Sequence, residues 1–258
     1  MKQLSSYFSL VKFSHTIFAM PFAMIGFFTA IRLFGASFTW QTFLLVLLCM
    51  VSARNAAMAF NRYLDRDIDI KNPRTAIREI PAGIIHADSA LWFVLINAAI
   101  FCTATFFINH LVFYLSPVAL AVILGYSYTK RFTALCHFVL GLGLSLAPIG
   151  AFLSVTGYFS LLPVLYSFCV LFWVSGFDII YALQDEDFDK KEKLSSIPTF
   201  LGREKAMQLS SLIHLLSGLT LIAAGIYGDR GAWYWAGTAV FSGLMFYQHI
   251  IILSLIHI

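Results

Sequence analysis

Apolar residues run along this chain in blocks of about 20, separated by short polar connections. The blocks fall near residues 14–33, 39–60, 88–108, 111–128, 133–155, 161–183, 205–227 and 232–252. Each is close to the ~20 residues that a helix needs to cross the hydrocarbon core of a bilayer. The pattern predicts an all-α fold: a polytopic transmembrane helical bundle of about eight helices, forming one domain over residues 1–258.

The connections alternate in character. One set, around Gly35–Phe38, Asn109–His110, Thr156–Ser160 and Gly228–Gly231, is short and nearly uncharged. The other set, Arg62–His86, Thr129–Phe132 and Gln184–Lys205, is basic. Of 17 Lys and Arg, only Arg32 and Arg230 lie on the first side; the other 15 share the second side with the N-terminus. The positive-inside rule therefore places the N-terminus and the long loops in the cytoplasm. All of the 13 acids except Asp229 lie there too. Topology does not require acids in those loops, so their concentration marks a site.

Composition agrees with a membrane protein. Hydrophobic residues make up 60% of the chain and charged residues 12%, against about 25% charged in soluble domains. Mean hydropathy is +0.82. The lipid bilayer is the expected partner, and a net charge of +4 makes no case for nucleic acid. Cys49, Cys102, Cys136 and Cys169 stand apart with no CxxC spacing and read as reduced, buried thiols. The first apolar run lacks the small-residue cleavage site of a signal peptide.

The second block runs into Asn61-Arg-Tyr-Leu-Asp-Arg-Asp-Ile-Asp69. Asn61, Asp65 and Asp69 recur every four residues, which stacks them on one helix face. Two ionised carboxylates about 6 Å apart repel by roughly 3 kcal/mol at an effective dielectric of about 20. A cation would turn that repulsion into attraction, and carboxylates with an amide oxygen suit Mg²⁺ shared with a phosphate. Taken alone, the motif reads equally well as a solvated helix end. A second acidic stretch, Asp178-Ile-Ile-Tyr-Ala-Leu-Gln-Asp-Glu-Asp-Phe-Asp189, puts Asp185 and Asp189 four apart on a continuing helix end, with Tyr181 and Gln184 before them. It begins four spans later, so both motifs share one membrane face. This reads as two four-helix pseudo-repeats with a site between the halves. Bases follow each motif: Lys71, Arg74 and Arg78, then Lys190, Lys191 and Lys193. Opposed carboxylates with bases beside them form a metal–diphosphate clamp. A ligand anionic at one end and lipid at the other, a polyprenyl diphosphate, meets both demands.

The wording around these acids carries a resemblance. Asn61-x3-Asp65-x3-Asp69 with Asp185-x3-Asp189 resembles the paired signature of the UbiA superfamily of intramembrane prenyltransferases. So do Asn72-Pro-Arg-Thr-Ala-Ile-Arg-Glu-Ile-Pro-Ala-Gly83, Tyr126-Ser-Tyr-Thr-Lys-Arg131, Asp178-x2-Tyr181, Ser196-Ile-Pro-x-Phe-x-Gly202 and His15-Thr-Ile-Phe-Ala-Met-Pro21. Within that superfamily the chain is most similar to 4-hydroxybenzoate polyprenyltransferases and to the prenyltransferases of the futalosine route to menaquinone, with the Asn-Pro-Arg-Thr-Ala wording leaning to the second group.

The resemblance implies Mg²⁺-dependent transfer of a polyprenyl group to an aromatic acid, of the 4-hydroxybenzoate or dihydroxynaphthoate type, in ubiquinone or menaquinone biosynthesis. It implies a prokaryotic inner membrane. Asp65, Asp69, Asp185 and Asp189 would hold metal with help from Asn61. Lys130 would contact the diphosphate, and Arg74 or Arg78 the diphosphate or the aromatic carboxylate. Tyr126, Arg131, Asp178 and Tyr181 complete the expected substrate-binding set. Arg54, inside the end of the second span, needs a partner because a lone charge there is costly; an acid of the first motif is the expected one. Asp67 and Asp187 read as solvated neighbours, the three late lysines as topogenic, and His15 and His137 as hydrogen-bonded structural histidines.

Two other functions use similar residues. CDP-alcohol phosphotransferases carry Asp-x3-Asp, but with a preceding Asp-Gly that this chain lacks, and in one cluster. A cation-coupled transporter would place its acids at the membrane midplane in broken helices; here they stand at helix ends beside basic loops. The family has nine helices as a rule, and the last stretch, Leu253-Ser-Leu-Ile-His-Ile258, reads as foreign sequence on a C-terminally truncated chain.

Overall fold

The computed structural model describes residue 7, residues 9–11 and residues 13–256, with side chains over 17–252 of the last group. The expectations for His15 and for Leu253–Ile258 fall outside the described side chains. Eight long helices follow one another: α1 (Phe13–Phe34), α2 (Trp40–Asp69), α3 (Ala87–Ile108), α4 (His110–Thr129), α5 (Cys136–Thr156), α6 (Leu161–Ala182), α9 (Arg203–Tyr227) and α10 (Ala232–Ile256). Two short ones, α7 (Glu186–Lys191) and α8 (Ile197–Leu201), lie between α6 and α9. No strand occurs among the described residues. Seven of the long helices are long and apolar enough to cross a membrane. The eighth, α10, carries Gln248 and His249 within its apolar run.

The histidine has a reason in packing. A buried polar side chain at membrane depth needs a partner. His214 of α9 donates through Nε2 to the Trp173 carbonyl at 3.1 Å, which leaves its Nδ1 to accept from His249 Nε2 at 2.8 Å. The pair docks α10 onto α9.

α2 packs chiefly on α3, α5 on α6 and α1, and α6 on α9. Ala19 and Phe22 of α1 meet Val170 and Val174 of α6. Ala23 and Phe27 meet Val46 of α2 and Ala151 of α5. Small residues permit the close crossings, as expected where lipid is as apolar as the side chains. The tightest is Gly26, whose added Cβ would fall 1.8 Å from the Pro148 carbonyl oxygen. Backbone cannot yield as a side-chain tip can. Gly26→Ala is expected to destabilise the bundle by about 3 kcal/mol, the upper end of overpacking effects. A thermal unfolding midpoint unchanged from wild type would show that α1 and α5 do not cross here.

The length of α2 positions the site. Its 30 residues rise about 45 Å at 1.5 Å each, against ~30 Å of hydrocarbon core. Thr39 caps its start, accepting from the Thr42 amide at 3.2 Å. The last three turns, with Asn61, Asp65 and Asp69, therefore stand beyond the apolar layer.

Candidate active site

Asp65 is 2% exposed and Asp69 3% exposed, so neither is a solvated helix end. Asn61 Nδ2 donates to Asp65 Oδ2 at 3.1 Å, and Lys130 Nζ lies 2.6 Å from the same oxygen. Arg131 Nη2 approaches Asp65 Oδ1 at 3.0 Å, but off the hydrogen-bond axis, so this buried oxygen has a charge beside it and no aligned donor. Arg131 is held there by the carbonyls of Ser127 (2.9 Å) and Leu64 (3.0 Å). Arg78 Nη1 donates to both oxygens of Asp69 at 2.7 Å. The turn between them is fixed by Thr75, whose hydroxyl donates to the Asp69 carbonyl at 3.0 Å.

The second motif does not continue its helix as its spacing predicts. α6 stops at Ala182, a 3-10 turn takes Leu183–Asp185, and α7 restarts at Glu186. The tighter turn swings Asp185 towards the loop that follows α2. Asn72 Nδ2 (3.3 Å) and Arg74 Nε (3.1 Å) donate to Asp185 Oδ1, Arg74 Nη2 donates to Oδ2, and Arg74 Nη1 donates to the Tyr181 hydroxyl at 3.0 Å. Lys71 and Glu192 add an ion pair at 2.6 Å. The two motifs thus meet through side chains of the first loop. Burial alone would lower the Arg74 pKa; the hydrogen bonds and charge of Asp185 outweigh it, and the pKa lies above its ordinary value. Asp189 lies within electrostatic reach of Asp185 and Lys130.

Deeper in α6, Asp178 is held by His137. The Ile197 amide donates to His137 Nε2 at 3.2 Å, so the ring proton sits on Nδ1, which donates to Asp178 Oδ2 at 2.7 Å. His137 is the hydrogen-bonded residue the sequence led us to expect, but it holds a site residue and the α8 loop together. The solvated reading of Asp67 and Asp187 agrees with side-chain exposures of 83% and 90%. Lys190 is paired with Glu186 at 2.6 Å.

Arg54 corrects an expectation. Among the described residues it forms no ion pair with an acid of the motif; its buried Nε has no hydrogen-bond partner, and the Tyr126 phenol lies near it. The reason is the helix itself: Arg54 lies seven residues before Asn61, about 10 Å deeper. There it borders an apolar cavity of about 340 Å³ between α1, α2, α3, α4 and α5, with Tyr126 beside it. Along α5 the cavity runs from Leu140 to Ser154, about 21 Å at 1.5 Å per residue.

Sequence reasoning missed three features. One is the set of cavity residues, which includes Phe101 and Phe159 of the 26 phenylalanines. Another is Arg62, 4% exposed, with Nε and Nη1 unpartnered and the charges of Arg78 and Asp69 nearby. Its position three residues before Asp65 was the available signal. The last is the use of His137.

The donors fit a hard divalent ion. They are carboxylate and amide oxygens, and one buried carboxylate oxygen lacks an aligned donor. Among the described residues no three His, Cys, Asp or Glu side chains converge into a ready cage. Mg²⁺ is held in the same manner elsewhere, by one or two carboxylates with the rest of its sphere from phosphate and water.

Fold and site together define a membrane enzyme with a charged site at one end of an apolar cavity. The chain belongs to the UbiA prenyltransferase family, whose model matches residues 19–255. It is 36% identical over 199 residues to a 4-hydroxybenzoate octaprenyltransferase of Nitrosomonas europaea, covering 76% of this chain and 67% of that protein. Its fold superimposes on the apo structure of a UbiA homolog from Aeropyrum pernix K1 with a TM-score of 0.87 and 33% identity, covering 93% of this chain and 89% of that one. A UbiA homolog from Archaeoglobus fulgidus bound to GPP and Mg²⁺ shares the fold, with a TM-score of 0.78 and 20% identity over 96% of this chain and 87% of that one.

Proposed function

We propose that this prenyltransferase moves a polyprenyl group from an allylic diphosphate onto a ring carbon of a hydroxylated aromatic acid, of the 4-hydroxybenzoate or dihydroxynaphthoate type. The observation that carries the reading is the join between two environments. A charged clamp of Asp65, Asp69 and Asp185 with Lys130, Arg131, Arg78 and Arg74 stands above an apolar cavity that α5 borders over about 21 Å, and the cavity lining reaches up to Arg54 and to Tyr126, four residues before Lys130. The names of the relatives support the acceptor class, and the GPP and Mg²⁺ of the Archaeoglobus protein support the donor class.

Asp65, Asp69, Asp185 and Asp189, with Asn61, would hold Mg²⁺. When bound, the metal supplies Lewis-acid charge that offsets the growing negative charge of the diphosphate. Lys130, Arg131, Arg74 and Arg78 exchange their acid partners for diphosphate oxygens. The allylic C–O bond breaks, and its electron pair leaves with diphosphate. Tyr126 faces the resulting cation at the top of the cavity, where a desolvated cation–π contact is worth about 2 kcal/mol. The apolar walls exclude water that would quench the cation. The ring carbon ortho to the acceptor hydroxyl attacks, and its proton passes to Asp178, which His137 orients. Arg54 anchors the acceptor carboxylate. The site loops face the cytoplasm of the inner membrane, as the loop charges dictate.

Product mass spectrometry tests this with purified protein in lipid nanodiscs, several prenyl diphosphates, and 4-hydroxybenzoate and 1,4-dihydroxynaphthoate-type acids offered together. A prenylated acid is expected, lost on chelation with EDTA and restored by Mg²⁺. No prenylated product with any pair, from folded protein and excess Mg²⁺, would overturn the reading. Uptake of a cation into sealed vesicles without prenyl transfer would favour a transporter.

A further inference from the structure

Two glycines of α5 have no packing reason to be glycine. In a helix interior glycine costs about 0.5–1 kcal/mol relative to alanine, and a close approach of another element is the usual offset. Gly26 and Gly141 have that offset: a Cβ at Gly141 would fall 2.2 Å from Ser175 Oγ and 2.6 Å from the Leu171 carbonyl oxygen. Gly143 and Gly150 do not. A Cβ at Gly150 meets nothing within 4 Å, and one at Gly143 meets only Ile123 Cα, at 4.0 Å. Neither has a positive φ. Both border the apolar cavity, as does Ala147 between them. What a larger side chain would take at either position is cavity space.

Their depths differ. At 1.5 Å per residue, Gly143 lies about 4–5 Å and Gly150 about 15 Å below Leu140, where α5 first borders the cavity. An extended chain covers ~1.2 Å per bond, as a polypeptide does, so the four-bond isoprene repeat covers about 5 Å. Gly143 stands beside the first isoprene unit below the mouth, and Gly150 beside the third.

We infer that Gly143 and Gly150 are specificity-determining residues for prenyl length: they keep the channel clear for donors of four or more isoprene units. The inference rests on the proposed function, since it takes the cavity to hold the tail of an allylic diphosphate. It goes further in assigning the length limit to two positions on one helix.

The test is the donor-length profile of Gly150→Leu, Gly143→Leu and Gly150→Ala, each in nanodiscs with a common aromatic acid. The quantity read is kcat/KM for geranyl diphosphate over that for a donor of four or more units. In Gly150→Leu this ratio should rise about 10–200-fold, the range that one misplaced apolar group produces in a hydrophobic pocket. Gly143→Leu should shift the cut-off to shorter donors, already separating one unit from two. Gly150→Ala should leave the ratio within about threefold and unfold at the same temperature or higher, because alanine is the better helix former. Where leucine is not tolerated at Gly150, valine makes the smaller step with the same expected direction. A geranyl-over-long ratio in folded Gly150→Leu that matches wild type, a one-unit-over-two-unit ratio in folded Gly143→Leu that matches wild type, or an equal loss for every donor, would overturn the inference while leaving the proposed function standing. Wild-type protein that transfers no donor of any length overturns the proposed function, and this inference with it.

Discussion

Asp65→Asn and Asp185→Asn each lose prenyl transfer by at least about 10²–10³-fold in kcat, the scale set by removing one charge-stabilising group from a preorganised site. The two substitutions act on opposite halves of the clamp. Asp65 sits between Lys130 and Arg131; an amide there keeps the shape and removes the charge. The remaining cations, about a third exposed, are partly screened, so the folding penalty stays near 1–2 kcal/mol, below the 3–5 typical of a fully buried broken pair. Asp185 anchors Arg74 and Asn72, so its loss also frees the first loop. Because the two carboxylates serve one bound unit, the double variant should be little worse than either single one. Turnover of folded protein, quantified after size exclusion, decides the matter. Full transfer by either variant would sink the site assignment.

Arg54→Leu separates stability from function. In the free protein the Arg54 Nε is buried and unpartnered. An apolar side chain of similar reach removes that cost, and replacing buried charge with apolar groups is often neutral or stabilising. The variant should therefore unfold at a higher temperature than wild type. Its KM for the aromatic acid should rise about 10–100-fold, the value of one hydrogen bond to a charged group, while the KM for the prenyl diphosphate changes by less than threefold on the same scale. An unchanged acceptor KM would remove Arg54 from the acceptor site. A raised donor KM instead would move it into the diphosphate site.

Both predictions depend on a distinction between what lies along a helix and what lies across the bundle. Asn61, Asp65 and Asp69 share a face because they are four residues apart, and that much is written in the chain. So is the pairing of the two motifs on one membrane face, which follows from an even number of crossings. The apolar blocks marked seven of the eight long helices to within a few residues, because the bilayer sets a length and a composition that a sequence must show; α2 runs nine residues past its block, to Asp69. The role of α2 in lifting the motif clear of the apolar layer follows from the same count of residues.

Which base meets which acid was not written there. Lys130, Arg131, Arg74 and Arg78 were all available to the motif acids, and spacing could not assign them: Lys130 and Arg131 are brought to Asp65 by the packing of α4 near α2, and Arg74 to Asp185 by the loop between the halves. The i, i+4 spacing of Asp185 and Asp189 pointed to a continuing helix, yet a 3-10 turn breaks it, because the loop's donors draw Asp185 towards the first motif. Arg54 was assigned an acid by the rule that buried charges are paired; the helix instead sets it about 16 Å below Asp65, the first motif acid, facing a cavity. A cavity is defined by atoms that are absent, and no residue pattern records it, so Gly143 and Gly150 pass in the sequence for ordinary small residues of a membrane helix. The sequence by itself determined the helices, their faces and the family chemistry of the acids. The tertiary structure decided the partners of each charge and the empty space beneath them, because both depend on distances between segments far apart in the chain.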